Sequence, residues 1–75
     1  MQKQSFYGKF PETLHRFNCL SVVELYEKAN LKGFVGLNAL HGYLKPSAYA
    51  PISEAMKQNI DFLLNEALKR MEDAV

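Results

Sequence analysis

Towards the C-terminus, Met56, Ile60, Leu63, Leu64, Ala67, Leu68, Met71 and Val75 recur at helical spacing and form one continuous apolar stripe. A helix over 53–73 is the consequence. At 1.5 Å per residue, ~20 residues run ~30 Å, about the width of a whole small domain. The chain has 75 residues. Whatever else it builds must therefore lie along that stripe. The expectation is an all-α fold: a small four-helix domain, 1–75, with three short helices packed on a long C-terminal one.

The second helix carries the strongest local signal. Ser21-Val22-Val23-Glu24 is a capping box, in which the Ser21 hydroxyl accepts from the Glu24 amide and the Glu24 carboxylate reaches back to the Ser21 amide. Leu20 and Leu25 are placed to staple this helix start. Val22, Leu25, Tyr26 and Ala29 share one face, and Asn30 and Gly33 tolerate the positive φ of a helix exit. The spacing predicts a helix over 22–31.

Two further helices follow from punctuation. Pro11 suits a first helical position, where no hydrogen bond is lost. Glu12 then faces the positive helix end, His15 and Arg16 the negative end. Leu14 and Phe17 share a face, and Asn18 stops a helix over 11–17. Leu37, Leu40 and Leu44 mark a helix over 36–44, ended by Pro46. Gly42 inside it costs about 1 kcal/mol relative to alanine. Residues 1–10 have no helical spacing and read as an extended arm, anchored by Phe6, Tyr7 and Phe10. Pro46 to Pro51 form a stiff connector with Tyr49 turned inward.

The expected core is Leu14, Phe17, Leu20, Val22, Leu25, Tyr26, Ala29, Leu37, Leu40, Leu44, Ile52, Met56, Ile60, Leu63, Leu64, Ala67, Leu68 and Met71. Aromatic residues make up 12% of the chain, nine side chains in all, and at least six are expected to fill this core. Phe62 falls outside the stripe. It points away from Ile60, Ala67 and Met71, among Gln58, Glu66 and Lys69. A large aromatic there is either covered by the N-terminal arm or first helix, or used to meet a partner.

Composition argues against chemistry. No glycine-rich phosphate loop, nucleophile elbow, C-x-x-C or H-E-x-x-H motif occurs, and His15 and His41 read as surface histidines. The expectation is a non-enzymatic protein, with no catalytic residue, cofactor or metal. The one cysteine, Cys19, has no disulfide partner and reads as a small buried apolar residue. With no apolar leader after Met1 and no run near ~20 apolar residues, a cytoplasmic protein without a membrane partner is expected.

Net charge is +1, from nine basic and eight acidic residues. It hides an asymmetry: residues 1–20 sum to +2, residues 21–50 to +1 and residues 51–75 to −2. This balance gives no strong electrostatic footprint for nucleic acid. A small core is often completed by self-association. The first functional expectation is therefore a protein-interaction or assembly module, its partner a second copy or another protein. Phe62, Glu66 and Lys69 form the expected surface, with Tyr7 and Phe34 as further candidate partner residues.

The alternative rests on residues 24–44. ELYEKANLKGFVGLNALHGYL resembles the helix-turn-helix of small phage-type repressors, over about a quarter of the chain. That resemblance implies a DNA-binding regulator built on helices 22–31 and 36–44, with Lys32, Asn38, His41 and Lys45 as its polar contacts. Tyr26 departs from it, being bulky where the motif takes a small residue.

Overall fold

The computed structural model describes residues 5–49 and 51–73. Four helices follow one another: α1 (Phe10–Arg16), α2 (Val22–Lys28), α3 (Leu37–Leu44) and α4 (Glu54–Asp73). The fold is all-α, three short helices on a long C-terminal one. Packing runs in sequence, α2 against α3 and α3 against α4. Residues 1–4 of the expected arm, Ala50 of the connector and Val75 of the stripe lie outside the described residues.

Each helix begins and ends for a local reason. Ser21 caps α2, its Oγ accepting from the Glu24 amide at 3.1 Å. The return bond differs from expectation. Glu24 Oε1 accepts from the Leu20 amide at 2.9 Å, one residue before the cap. Leu20 is turned outward and 93% exposed, so it neither staples the helix nor joins the core. Ser53 precedes α4, and its Oγ accepts from the Met56 amide at 3.1 Å. Gly36 is the cap of α3 rather than its first residue.

Helices α1 and α2 end alike. The residue after each C-cap is an asparagine at φ 56, Asn18 and Asn30. Two crossing bonds close each exit: Cys19 N–H to the Leu14 carbonyl and Asn18 N–H to His15, then Leu31 N–H to Tyr26 and Asn30 N–H to Glu27. This is the Schellman arrangement, with asparagine in the left-handed position usually taken by glycine. It explains why α2 stops at Lys28 and not at residue 31. It also turns Cys19 and Leu31 inward, where both are buried.

The core is one cluster. Phe17, Leu25, Leu31, Leu40, Tyr43, Leu44, Ile60 and Leu64 are its most deeply buried large apolar side chains. From α4, Ile60, Leu64 and Ala67 are buried. Met56, Leu63, Leu68 and Met71 on that stripe are only partly covered, as are Tyr26, Leu37 and Ile52. Six of the nine aromatics fill or line the cluster: Phe6, Phe17 and Tyr43 are buried, and Tyr7, Phe10 and Tyr26 pack on them. Tyr49 does not turn inward; it is 99% exposed.

The arm is part of that core. The Phe6 amide donates to Tyr43 Oη at 2.9 Å, and the Gly8 amide donates to the Tyr43 carbonyl at 3.0 Å. Gly8 sits at φ 74, where a side chain would be strained. Phe6 meets Phe17 edge-on, ring centres 6.0 Å apart, and Tyr7 meets Tyr43 in the same way at 5.6 Å. Cations cover two rings here: Lys57 Nζ lies 4.4 Å from the ring centre of Tyr7 in the arm, and Lys45 Nζ 4.0 Å from that of Phe10, which opens α1 rather than belonging to the arm as expected. Burying the Phe6 side chain contributes about 1.5–3 kcal/mol.

Candidate functional site

On α4, Phe62, Glu66 and Lys69 fall four and three residues apart and share one helical side. All three are exposed, and Phe62 keeps 45% of its surface in water. It is not without contacts in its own chain. Ile60, Leu64 and Ala67 hold the opposite side of the helix against the core. Among the described residues the only ion pair is Lys57 with Glu54, at 3.5 Å.

The two other expected partner residues are separated from this face by their roles. Tyr7 is half-buried, against Tyr43 and beneath Lys57. Phe34 is 62% exposed in the connection between α2 and α3. That connection is fixed in place, since Tyr26 Oη donates to the Val35 carbonyl at 2.8 Å and the Phe34 amide to the Leu31 carbonyl. Two further apolar residues, Leu20 and Val23, are exposed at the start of α2.

The alternative residues also gather. Asn38 and His41 on α3, with Lys45 just beyond it, follow a three-then-four spacing and are all exposed. Lys32 is exposed in the preceding connection. The geometry around them differs from the resemblance. With α2 ending at Lys28 and α3 beginning at Leu37, the connection spans residues 29–36. A helix-turn-helix joins its helices in ~3–4 residues. Lys45 lies over Phe10, so part of its charge is used within the chain.

A third place carries no motif in the sequence. Ser5, Phe6, Lys9, Glu12, Thr13 and Arg16 line a cavity of ≈ 380 Å³ between the arm and α1. Thr13 is fully buried, and its Oγ1 has no hydrogen-bond partner. The signal in the sequence is the spacing of Thr13 and Arg16, three apart on α1, with Lys9 just before that helix.

Two titratable groups are displaced from their ordinary ranges. Burial pushes the Cys19 thiol up, against a lowering by Lys28 and with a smaller raising by Glu24. Its Sγ–H donates to the Phe17 carbonyl at 3.4 Å, so Cys19 is held as an unreactive thiol. Burial also raises the Asp61 carboxyl, although hydrogen bonds from the Phe6 amide and the Ser5 side chain pull it down. Asp61 thereby joins α4 to the arm.

Among the described residues no group of three His, Cys, Asp or Glu could hold a metal ion, and no helix is long and apolar enough to cross a membrane. No family model, curated protein or solved structure matches this chain.

Proposed function

We propose that this chain is a non-enzymatic helical interaction module that pairs with a second copy of itself through the outward side of α4. The observation that supports this most is the exposure of Phe62, 45% of a large aromatic, midway along a helix whose opposite side is already committed to the core. Aromatic side chains concentrate at the centres of protein interfaces. Exposed Glu66 and Lys69 beside it supply a polar rim of both signs. Phe34 adds a second exposed aromatic, while Tyr7 serves the fold. The cytoplasmic assignment belongs to this same reading.

The experiment is molar mass in solution from low to high micromolar, for the natural chain and for Phe62→Ser. The expected result is a concentration-dependent dimer that Phe62→Ser converts to a folded monomer. A strictly monomeric natural chain up to high micromolar overturns self-association. Loss of thermal stability in Phe62→Ser with unchanged mass assigns the residue to the fold instead.

A second reading, DNA binding, draws on the exposed line Asn38, His41, Lys45 beside Lys32. It stands behind the first because the connection of residues 29–36 is long for that motif and because Lys45 is engaged on Phe10.

A further inference from the structure

We infer that the cavity between the arm and α1 is a binding site for a phosphate group, held by Lys9, Thr13 and Arg16. This goes beyond the α4 surface and does not depend on it. The first support is an unexplained buried donor. Thr13 is 0% exposed, lines the cavity, and leaves Oγ1 without a partner. A buried hydroxyl left unmatched costs about 1–3 kcal/mol, so such groups in native structures are nearly always satisfied. No water-sized group reaches that oxygen in the free chain, so a ligand oxygen satisfies it only once the side chains lining the cavity shift.

The second support is charge. At about 100° per residue, Thr13 and Arg16 fall roughly 60° apart around α1, and Lys9, the residue that precedes the helix, lines the same cavity. A lysine ammonium, a guanidinium and a hydroxyl therefore flank one space. Three donors match the three terminal oxygens of a phosphate better than the two of a carboxylate. Lys9 and Arg16 are both exposed long side chains that can swing outward to admit a group to Thr13. Arg16 also lies 5.7 Å from the Phe6 ring centre and has further contacts within the chain, so it assists a site whose floor is Thr13.

The remaining lining bears on the source of the phosphate. The cavity of ≈ 380 Å³ is larger than the phosphate group alone needs, and small-molecule sites begin near ~300 Å³. Glu12 is the carboxylate on its wall, an acceptor suited to a ligand hydroxyl or amine and unsuited to a second anion. Ser5 is already tied to Asp61. Free phosphate and a small organic phosphate monoester share the recognised chemistry.

The test is amide-resolved NMR titration of the full chain with sodium phosphate and, separately, with glycerol phosphate. Sodium chloride holds ionic strength constant. Saturable shifts confined to residues 5–16 are expected in at least one arm, and tighter saturation by the ester identifies an organic monoester as the natural source. Lys9→Gln should weaken binding about tenfold or more. Thr13→Val should weaken it several-fold while leaving the melting temperature of the free protein unchanged or higher, because an unmatched buried hydroxyl is removed. Shifts that never saturate, or that persist equally in Lys9→Gln, overturn the site. A Thr13→Val chain that melts lower and binds equally well overturns the role of the hydroxyl.

Discussion

The Phe6 amide donates to the Tyr43 hydroxyl at 2.9 Å, joining residues 37 apart in the chain. The bond is buried, and it ties the arm to α3 at the point where Phe6 enters the core. Tyr43→Phe keeps the ring and removes the acceptor. Asp61 Oδ1 is a distant second acceptor for the same amide, at 3.4 Å. The expected loss is thus about 1–2 kcal/mol, within the range for an orphaned buried donor. Denaturant unfolding measures it, and hydrogen exchange at the Phe6 amide should accelerate more than exchange in α4. Equal protection in the two chains would show that the arm does not need this bond.

Asp61 makes the attachment of the arm depend on pH in a definite direction. Its carboxyl is raised in the folded chain, burial outweighing the hydrogen bonds from Phe6 and Ser5. A raised carboxyl binds its proton more tightly when folded. Its contribution is therefore fully present below the unfolded value and is lost as pH rises through the folded one. Asp61→Asn retains a side-chain oxygen acceptor and does not titrate. The variant should gain stability relative to the natural chain as pH rises from about 3 to about 6, the span that starts below the ordinary carboxylate value. Urea midpoints of both chains across that span test it. A gap that is constant, or that closes with rising pH, would falsify the assignment.

Much of the fold was legible because the signals are local. Ser21, Pro11 and Pro46 mark helix ends through bonds or clashes with their near neighbours. The α4 stripe states its own buried side. Local rules fail where they meet a competing local bond. Leu20 sits where a staple is expected, but Glu24 captures its amide and turns the side chain out. Asn30 reads as an exit, yet the Schellman bonds place the last helical residue at Lys28. The burial of Leu31 and Val35 was not legible, since periodicity has no meaning in a connection. Nor was Tyr43, whose place depends on an arm 37 residues away. The cavity beside Thr13 was hidden for the same reason, because Ser5 and Phe6 close it from outside α1.

Asn18 and Asn30 offer a matched test of the two exits. Both occupy φ 56, which asparagine accepts more easily than alanine. Asn→Ala at either position should cost about 1 kcal/mol, while Asn→Gly should be neutral or mildly stabilising. Thermal unfolding of the four variants measures this. Alanine tolerated at no cost would mean that the exit can relax to negative φ.

The modified capping box separates backbone from side chain at one residue. Leu20 is exposed, so Leu20→Ser should change stability by less than about 0.5 kcal/mol. Glu24→Ala removes the carboxylate that holds the Leu20 amide and should cost about 1 kcal/mol, comparable to losing a helix cap. The contrast matters, because a conventional staple would make Leu20→Ser the costlier change.

DNA binding and self-association part company at Lys45. A reader of DNA places its cations on phosphates, and each such contact releases a counterion and steepens the salt dependence of binding. Lys45 lies 4.0 Å over the Phe10 ring, a contact worth about 0.5–1 kcal/mol at an exposed site. Leaving that ring for a phosphate would loosen the start of α1 at Phe10. If α4 pairing is the function, the chain should show no saturable binding to random duplex DNA at about 50 mM salt, where the phosphate-driven term is strong. Lys45→Gln should then lower stability without altering solution mass. The opposite result has its own signature: binding at low salt whose slope falls by about one phosphate contact in Lys32→Gln would displace self-association and make Asn38 and His41 the residues to test for base contacts.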